Sequence, residues 1–192
     1  MRIIGGANKG RILTTPTGME TRPTSDAQRS ALFNVIENSL AHPMQKVLDL
    51  FAGTGSLGLE AHSRGAESVV FFEKSPPAIQ SIKKNVETCR VLRALALNDQ
   101  KIEKWGSLLA KQGNEYLPFD TIFCDPPYQK RLIEKSIFSL ESHADRLFIA
   151  GHSLLVCETS TFEDAPSLPV PWELFKTREK ASTRLLFYRR AK

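Results

Sequence analysis

A glycine-rich segment directly after a short apolar run constrains the fold of this chain more than any other feature. Residues 47–52 read Val-Leu-Asp-Leu-Phe-Ala and lead into Gly53-Thr54-Gly55-Ser56-Leu57-Gly58, a G-x-G-x-x-G pattern. At a strand-to-helix turn, such glycines let the backbone turn sharply and let a ligand approach the N-terminus of the following helix. The pattern therefore predicts an α/β fold with a ligand site at the end of its first strand.

The rest of the chain alternates short apolar runs with segments of helical spacing. Continuous apolar runs are typical of strands buried on both faces of a parallel sheet. Helices are predicted over 26–40, 57–63, 76–89 and 133–142, and strands over 47–51, 68–72, 94–97, 121–124, 153–157 and 184–188. We therefore predict one α/β domain over 1–192, in which a mostly parallel sheet has helices on both faces and an antiparallel last strand. Its parts are a hairpin-like N-terminal appendage (1–23), a lead-in helix (24–46) and a core (47–192).

A second motif follows the fourth predicted strand and reads Asp125-Pro126-Pro127-Tyr128. Ligands of open α/β sheets bind at the carboxyl ends of strands, which is where this tetrapeptide lies. The two prolines remove two backbone donors, so the loop offers acceptors, and an exocyclic amino group offers N–H donors. Asp125 and the carbonyl of Pro126 are placed to accept those hydrogens, while Tyr128 offers a ring on which a base can stack. The interpretation is a site for an amino-bearing nucleobase.

Two acidic residues indicate which class of ligand the glycine loop binds. Glu73 ends the second predicted strand, where a carboxylate accepts hydrogen bonds from both ribose hydroxyls of a nucleoside. Asp49 lies within the first apolar strand, where its charge would repel a pyrophosphate and attract a cation. S-adenosylmethionine, with its ammonium and sulfonium groups, therefore suits the loop better than NAD.

Charge is distributed unevenly along the 192 residues, whose net charge is +5. Residues 1–46 and 172–192 are basic, and the middle of the chain is acidic. Basic ends favour a polyanionic partner such as RNA, with a solvated surface as the alternative. The candidate phosphate contacts are Lys9, Arg11, Arg189 and Arg190, with Arg184 beside them.

Cysteine spacing and hydropathy exclude several other classes of protein. Cys89, Cys124 and Cys157 are too far apart in sequence for a structural zinc site, and their odd number argues against a disulfide framework. No run of about 18 apolar residues is present, and the N-terminus lacks a secretory pattern. We expect a cytoplasmic protein without a metal or a membrane segment. Strand alternation predicts that Cys124 is a buried thiol facing away from Asp125.

These motifs together resemble a known family. VLDLFAGTG, FFE and DPPY are similar to segments of Rossmann-like S-adenosylmethionine methyltransferases that modify exocyclic amino nitrogens. More narrowly, RIIGGANKGRIL, RPTSDAQRSALFNVI, LDLFAGTGSLGLEAHSRGA and REKASTRLLFYRR resemble the RsmD family of bacterial 16S ribosomal RNA guanine-N2 methyltransferases. The resemblance runs through nearly the whole chain. It implies the class I S-adenosylmethionine-dependent methyltransferase fold and methylation of a guanine in 16S rRNA, either free or in an assembled or assembling 30S subunit.

The resemblance also implies roles for individual residues. Asp125, Pro126, Pro127 and Tyr128 would form the catalytic loop. Residues that would hold the cofactor are Arg22, Thr24, Asp49, Phe51, Gly53, Thr54, Gly55, Glu73, Lys74 and Asp99. A monomer is expected.

Two other enzyme classes are weighed against this interpretation. A DNA adenine-N6 or cytosine-N4 methyltransferase shares the motifs, but 192 residues leave no large target-recognition region. An NAD-dependent oxidoreductase is disfavoured by Asp49 and by the Asp-Pro-Pro-Tyr loop.

Overall fold

The computed structural model describes residues 1–16, 26–40, 42–99, 101–127 and 131–191. In these residues seven strands form one sheet in the order β3-β2-β1-β4-β5-β7-β6. The strands are β1 (Lys46–Leu50), β2 (Ser68–Phe72), β3 (Ala94–Leu97), β4 (Thr121–Cys124), β5 (Leu154–Ser160), β6 (Trp172–Lys180) and β7 (Thr183–Arg190).

Strand direction follows from the connections. Strands β1 to β5 are parallel to one another, and β7 is antiparallel to both β5 and β6. Two residues link β6 to β7, a connection short enough only for a hairpin. Because β6 is antiparallel to β7, it runs in the same direction as β1. The prediction of a mostly parallel sheet with an antiparallel last strand is confirmed.

Helices cover both faces of the sheet. They are α1 (Asp26–Ser39), α2 (Ser56–Ser63), α3 (Pro76–Cys89), α4 (Trp105–Leu109, after a 3-10 turn at Ile102–Lys104), α5 (Leu132–Glu141) and α6 (Ala144–Leu147). Leu32, Leu59 and Ile82, from α1, α2 and α3, belong to an apolar cluster with Val47 and Phe123 of the sheet. The last three helices pack on the other face, against side chains such as Leu48 and Cys124. Alternation along β1 and β4 thus divides the core into two layers.

The N-terminal segment docks onto α2 and α3. A single antiparallel bridge between Arg2 and Ile12 closes a hairpin-like loop, as the sequence predicted, but no regular strands form there. Ile3 and Leu13 are buried in the cluster that also holds the α1, α2 and α3 side chains. Asn8 donates to the carbonyl of Cys89 at the end of α3.

Strand β6 was not predicted from the sequence. Of its nine residues, only Trp172 is buried, so the segment has neither a continuous apolar run nor an alternating pattern. It is an edge strand, and its pairing with β7 comes from the hairpin rather than from its own side chains. The short helices α4 and α6 were missed as well, because five and four residues are too few for a helical period to show.

The chain order creates a switch point in the sheet. From β1 the chain proceeds outward to β2 and β3, then returns to form β4 on the other side of β1. A crevice therefore opens between the carboxyl ends of β1 and β4, the usual ligand position in open α/β sheets. We call this side of the sheet the carboxyl edge and the opposite side the amino edge. Among the described helices, none is long and apolar enough to cross a membrane.

Candidate active site

The glycine loop follows β1 directly at the carboxyl edge. Phe51, Gly53 and Gly55 have positive φ angles of 58°, 56° and 78°, so the chain reverses within five residues. A Cβ atom at Gly58 would lie 2.6 Å from a side-chain atom of Phe71 and 2.6 Å from one of Val69, so only glycine lets α2 pack this closely on β2. A Cβ atom at Gly53 would meet no atom within 4 Å, which leaves open space above the loop.

Glu73 joins the end of β2 to the glycine loop. Its Oε2 accepts a hydrogen bond from the Gly53 amide at 2.8 Å, and its Oε1 accepts one from the Ser75 amide at 2.8 Å. A carboxylate oxygen has more than one lone pair, so both oxygens retain acceptor capacity. The half-buried side chain is therefore fixed beside the loop in a position suited to ribose hydroxyls.

Asp49 lies beneath the loop and is 1% exposed. Its Oδ2 accepts a hydrogen bond from the Gly58 amide at 2.9 Å. Burial, and to a smaller extent the charge of Glu73, raises the pKa of Asp49 to about 8, although the Gly58 hydrogen bond opposes the shift. Asp49 thus supports the glycine loop through the Gly58 amide. Its role in holding a cationic cofactor stays a prediction.

Asp125 follows β4 on the same face of the sheet as Asp49. Leu50 pairs with Cys124, which sets Asp125 beside the start of the glycine loop. Burial raises the pKa of Asp125 well above its usual range, and the charges of Glu158 and Asp49 raise it further. Pro126 and Pro127 continue into a cavity of about 500 Å³ that is also lined by Phe162 and Glu158.

The site fits a cationic nucleoside such as S-adenosylmethionine. By strand alternation, Asp49, Glu73, Asp125 and Glu158 project from one face of the sheet at its carboxyl edge. The charge of Glu73 contributes to the raised pKa of Asp49, and the charges of Glu158 and Asp49 contribute to the raised pKa of Asp125. A positively charged ligand stabilises the ionised forms of such groups. The open glycine loop and the fixed carboxylate of Glu73 accommodate a ribose beside them.

Four other predicted cofactor residues lie in the loops that follow β1, β2 and β3. Asp99 follows β3, where its Oδ1 accepts from the Lys101 amide at 2.7 Å, and Lys74 is exposed beside Glu73. The side chain of Thr54 is buried, and its carbonyl accepts a hydrogen bond from Asn85 at 3.0 Å. Phe51 lies against Trp105, with ring centroids 5.0 Å apart. Three predicted site residues lie outside the described residues: Arg22, Thr24 and Tyr128.

Cys124 is a buried thiol on the opposite face from Asp125, as predicted. It is 1% exposed within the cluster that contains Leu48 and Ile122. Burial and the neighbouring Cys157 raise its pKa well above the usual range, so the thiolate needed by a nucleophile is disfavoured. Among the described residues, no group of three or more His, Cys, Asp and Glu side chains could hold a metal ion.

The four main predicted RNA contacts (Lys9, Arg11, Arg189 and Arg190) lie at the amino edge, away from the crevice. Arg11 donates to the carbonyl of Thr88 near the end of α3, and Lys9 lies in the same loop. Arg189 pairs across the sheet with Leu154, the first residue of β5, and donates to the carbonyl of Ser39 at 2.9 Å. Their role as phosphate contacts stays a prediction.

Arginines of β7 have structural partners that the sequence analysis did not foresee. The guanidinium of Arg190 lies 3.3 Å from Glu141 of α5, and both side chains are largely buried. Arg184 pairs with Glu179 at 2.6 Å, near the carboxyl edge. Buried pairing satisfies the charge of Arg190 within the fold, which leaves it little capacity for a phosphate.

A row of cations on β6 was missed by the sequence analysis. Lys176, Arg178 and Lys180 alternate along the strand, so they share one face, and no ion pair is found for them within the described residues. They line a groove of about 410 Å³ between α1 and the β6–β7 hairpin. Glu158 lines both this groove and the cavity beside Pro126. The sequence of β6 has no strand pattern of its own, so only its pairing with β7 shows that these three cations share one face.

Solved structures share this architecture. Escherichia coli yhhF is 33% identical and superposes with a TM-score of 0.80, covering 100% of this chain and 98% of that chain. The Pyrococcus abyssi tRNA (uracil-54, C5)-methyltransferase, solved with S-adenosyl-L-homocysteine, is 18% identical with a TM-score of 0.57 and covers 86% and 39%. The fold is therefore that of the class I S-adenosylmethionine-dependent methyltransferases, which confirms the predicted class.

Sequence comparison specifies the family. The family model described as "Conserved hypothetical protein 95" matches residues 1–189. The chain therefore belongs to this family, the RsmD family, as its motifs predicted. It is 33% identical over 190 residues to "Ribosomal RNA small subunit methyltransferase D" of Escherichia coli strain K12, covering 99% of this chain and 90% of the relative.

Proposed function

We propose that this protein transfers a methyl group from S-adenosylmethionine to the exocyclic N2 amino group of a guanine in 16S ribosomal RNA. The observation that carries the proposal is the acceptor-only turn at Asp125-Pro126-Pro127, which adjoins the glycine loop at the switch point of the sheet. The alignment to the Escherichia coli relative covers 99% of this chain, and the name of that relative supports small-subunit ribosomal RNA as the substrate.

The residues of the site divide the work between holding the cofactor and aligning the base. S-adenosylmethionine, when bound, supplies an activated methyl group on a positively charged sulfur. Glu73 and the open glycine loop hold the nucleoside part, and the ionised form of Asp49 favours the positive charge. Asp125 accepts one amino hydrogen and the Pro126 carbonyl accepts the other, which directs the nitrogen lone pair toward the methyl group.

Asp125 has a second task once the amino nitrogen begins to form its new bond. That nitrogen gains positive charge, so its hydrogens become more acidic and their hydrogen bond to a carboxylate strengthens. The stabilisation therefore grows in the transition state. We propose that Asp125 accepts the departing proton there.

The substrate assignment is tested on ribosomal RNA from cells that lack the protein. Purified protein and methyl-labelled cofactor are added to free 16S rRNA and, separately, to 30S subunits, and the nucleosides are identified by mass spectrometry. We expect labelled N2-methylguanosine at one position that is unmethylated in the deficient cells. Labelled N6-methyladenosine, labelled cytosine or no incorporation on either substrate contradicts the proposal.

The cofactor assignment is tested at Glu73. Replacing Glu73 by Ala leaves ribose hydroxyls without an acceptor, which weakens binding by about 1–3 kcal/mol. Calorimetry with S-adenosylmethionine measures the change, and Lys83→Ala on the exposed side of α3 serves as the control. Unchanged affinity in Glu73→Ala, or measurable NAD binding by the unmodified protein, contradicts the assignment.

A further inference from the structure

Glu158 lies beside Asp125 in the sheet. Cys124 of β4 pairs with Cys157 of β5, so the next residues along the two parallel strands are Asp125 and Glu158. Adjacent strands lie about 4.8 Å apart, and matched positions in a parallel pair project from the same face. Two carboxyl groups from different strands therefore meet at the carboxyl edge.

Glu158 also faces the space that a nucleobase would occupy. It is half-buried and lines the cavity of about 500 Å³ together with Pro126 and Pro127. Glu158 also lines the groove between α1 and the β6–β7 hairpin, and the cations of β6 line that same groove. Glu158 thus lies between a basic groove and the Asp125-Pro126-Pro127 turn.

The chemistry of this pair of carboxylates favours one base. Guanine presents three N–H donors side by side on its Watson–Crick edge, one at N1 and two at N2. Adenine and cytosine present an amino group next to a ring nitrogen that carries a lone pair. With Asp125 and the Pro126 carbonyl accepting the amino hydrogens, a further acceptor next to Asp125 meets a donor only on guanine.

We propose that Glu158 accepts a hydrogen bond from N1–H of the target guanine and so selects guanine over adenine and cytosine. The inference rests on the proposed function, which it deepens by naming the group that reads the base. Glu158 is a specificity residue rather than the proton acceptor. With adenine or cytosine, its carboxylate would face a lone pair, and sites that contain an unmatched polar group reject the wrong substrate strongly.

The test separates N1–H from the amino group that is methylated. A 16S rRNA is ligated around a synthetic segment that carries either guanine or 2-aminopurine at the position mapped above. 2-Aminopurine keeps the 2-amino group but has a lone pair at N1. We expect the unmodified protein to prefer guanine in kcat/KM by roughly 10²–10⁴-fold.

Variants of Glu158 identify the group responsible. Glu158→Gln can donate from its amide to a lone pair at N1, so we expect the preference for guanine to fall to less than about tenfold. Glu158→Asp keeps a carboxylate and should retain the preference with a lower kcat/KM. Glu134→Gln removes another carboxylate of the same cavity and is the matched control, with the preference unchanged.

The outcomes distinguish the inference from the proposed function. If guanine is methylated but 2-aminopurine equally well, or if Glu158→Gln keeps the full preference, the inference fails and the proposed function stands. If Glu158→Gln shifts the pH–rate profile without changing the preference, Glu158 only tunes Asp125 and the inference also fails. If neither base is methylated by the unmodified protein, the proposed function fails. Calorimetric affinity for S-adenosylhomocysteine confirms that each variant is folded.

Discussion

At the scale of single residues, Asp125 combines partial burial with two acidic neighbours, which together raise its pKa. We expect Asp125→Ala to lower kcat by about 10²–10⁴-fold, because the lost hydrogen bond strengthens as the amino nitrogen becomes charged. Cofactor affinity should change little, since the proposed nucleoside contacts are Glu73 and the glycine loop rather than Asp125. Single-turnover methylation of 16S rRNA measures the first quantity, and calorimetry measures the second.

The control for this variant is the preceding residue. Cys124→Ser keeps the size of the side chain on the opposite face of the sheet, so we expect it to remain active. Near-normal turnover in Asp125→Ala, or loss of turnover in folded Cys124→Ser, would show that the chemistry is carried elsewhere.

We expect Asp49 to make cofactor binding depend on pH. In the free protein its pKa is about 8, so the neutral form predominates at pH 7. A cationic cofactor lowers that pKa, and binding below pH 8 therefore releases a proton. We expect S-adenosylmethionine to bind more tightly as the pH rises from 6 to 8, by up to about tenfold per pH unit. Affinity should level off above pH 8.

The pH dependence of cofactor affinity is checked with a variant of Asp49 and with the demethylated product of the cofactor. Asp49→Asn cannot ionise, so its affinity should vary less with pH, and S-adenosylhomocysteine lacks the sulfonium charge, so its dependence should be weaker. The stability of the free protein should instead fall as the pH rises. Because folding raises the pKa of Asp49, the contribution of this residue to stability is greatest below pH 4 and is lost as the pH rises through 8. An affinity for S-adenosylmethionine that falls between pH 6 and 8 would contradict the role of Asp49.

At the scale of elements, Asn85 of α3 ties the N-terminal segment to the glycine loop. Its Oδ1 accepts from the Thr14 amide at 2.7 Å, and its Nδ2 donates to the carbonyls of Thr14 and Thr54 at 3.0 Å each. The side chain is fully buried. Three separate segments of chain are therefore joined by one amide group.

Replacing Asn85 by Ala should lower the free energy of unfolding by about 2–4 kcal/mol, because three backbone groups lose their partner. Urea denaturation measures this quantity. Asn38→Ala, on the exposed face of α1, is the control and should change stability by no more than about 0.5 kcal/mol. Equal stability of the two variants would show that the segment is held by its apolar side chains alone.

At the scale of the whole molecule, two groups of candidate RNA-binding cations lie toward opposite edges of the sheet. Lys9, Arg11 and Arg189 lie at the amino edge. The row on β6 runs along the strand to Lys180 at the carboxyl edge. Cations that neutralise phosphates make log affinity fall linearly with log salt, with a slope of about 0.7 per phosphate for single strands. Replacing Lys176, Arg178 and Lys180 by Gln should therefore reduce the slope for 16S rRNA by about 2.

The same measurement on the other edge defines how far the RNA extends. A variant with Lys9, Arg11 and Arg189 neutralised should flatten the slope only if the RNA reaches the amino edge, which the basic ends of the sequence predict. A variant with Lys83, Lys84 and Lys111 replaced by Gln removes the same charge from other exposed positions. If the β6 variant instead self-associates with an unchanged slope, its cations serve to protect a free sheet edge.

Local features of this protein could be predicted from the sequence because they depend on neighbouring residues. The bounds of β2, α3 and β4 agree with the predicted ranges, since each has a clear apolar run or a helix start such as Pro76. The bounds of β3 agree as well, although its four-residue apolar run is a weaker signal. The glycine loop and the opposite facing of Cys124 and Asp125 follow from turn chemistry and strand alternation in the same way. These features need only the order of residues along a few turns of chain.

Features that join distant segments were decided by the tertiary structure. Strand order and register place Glu158 beside Asp125, 33 positions away in the sequence, and no local pattern encodes that pairing. The direction of β7 carries Arg189 and Arg190 to the amino edge, although the composition of the basic tail is the same in either direction. Edge strand β6 is stabilised by its hairpin partner rather than by its own burial. The sequence by itself determined the chemistry that is available; the sheet determined which groups meet, because register is set by pairing between strands.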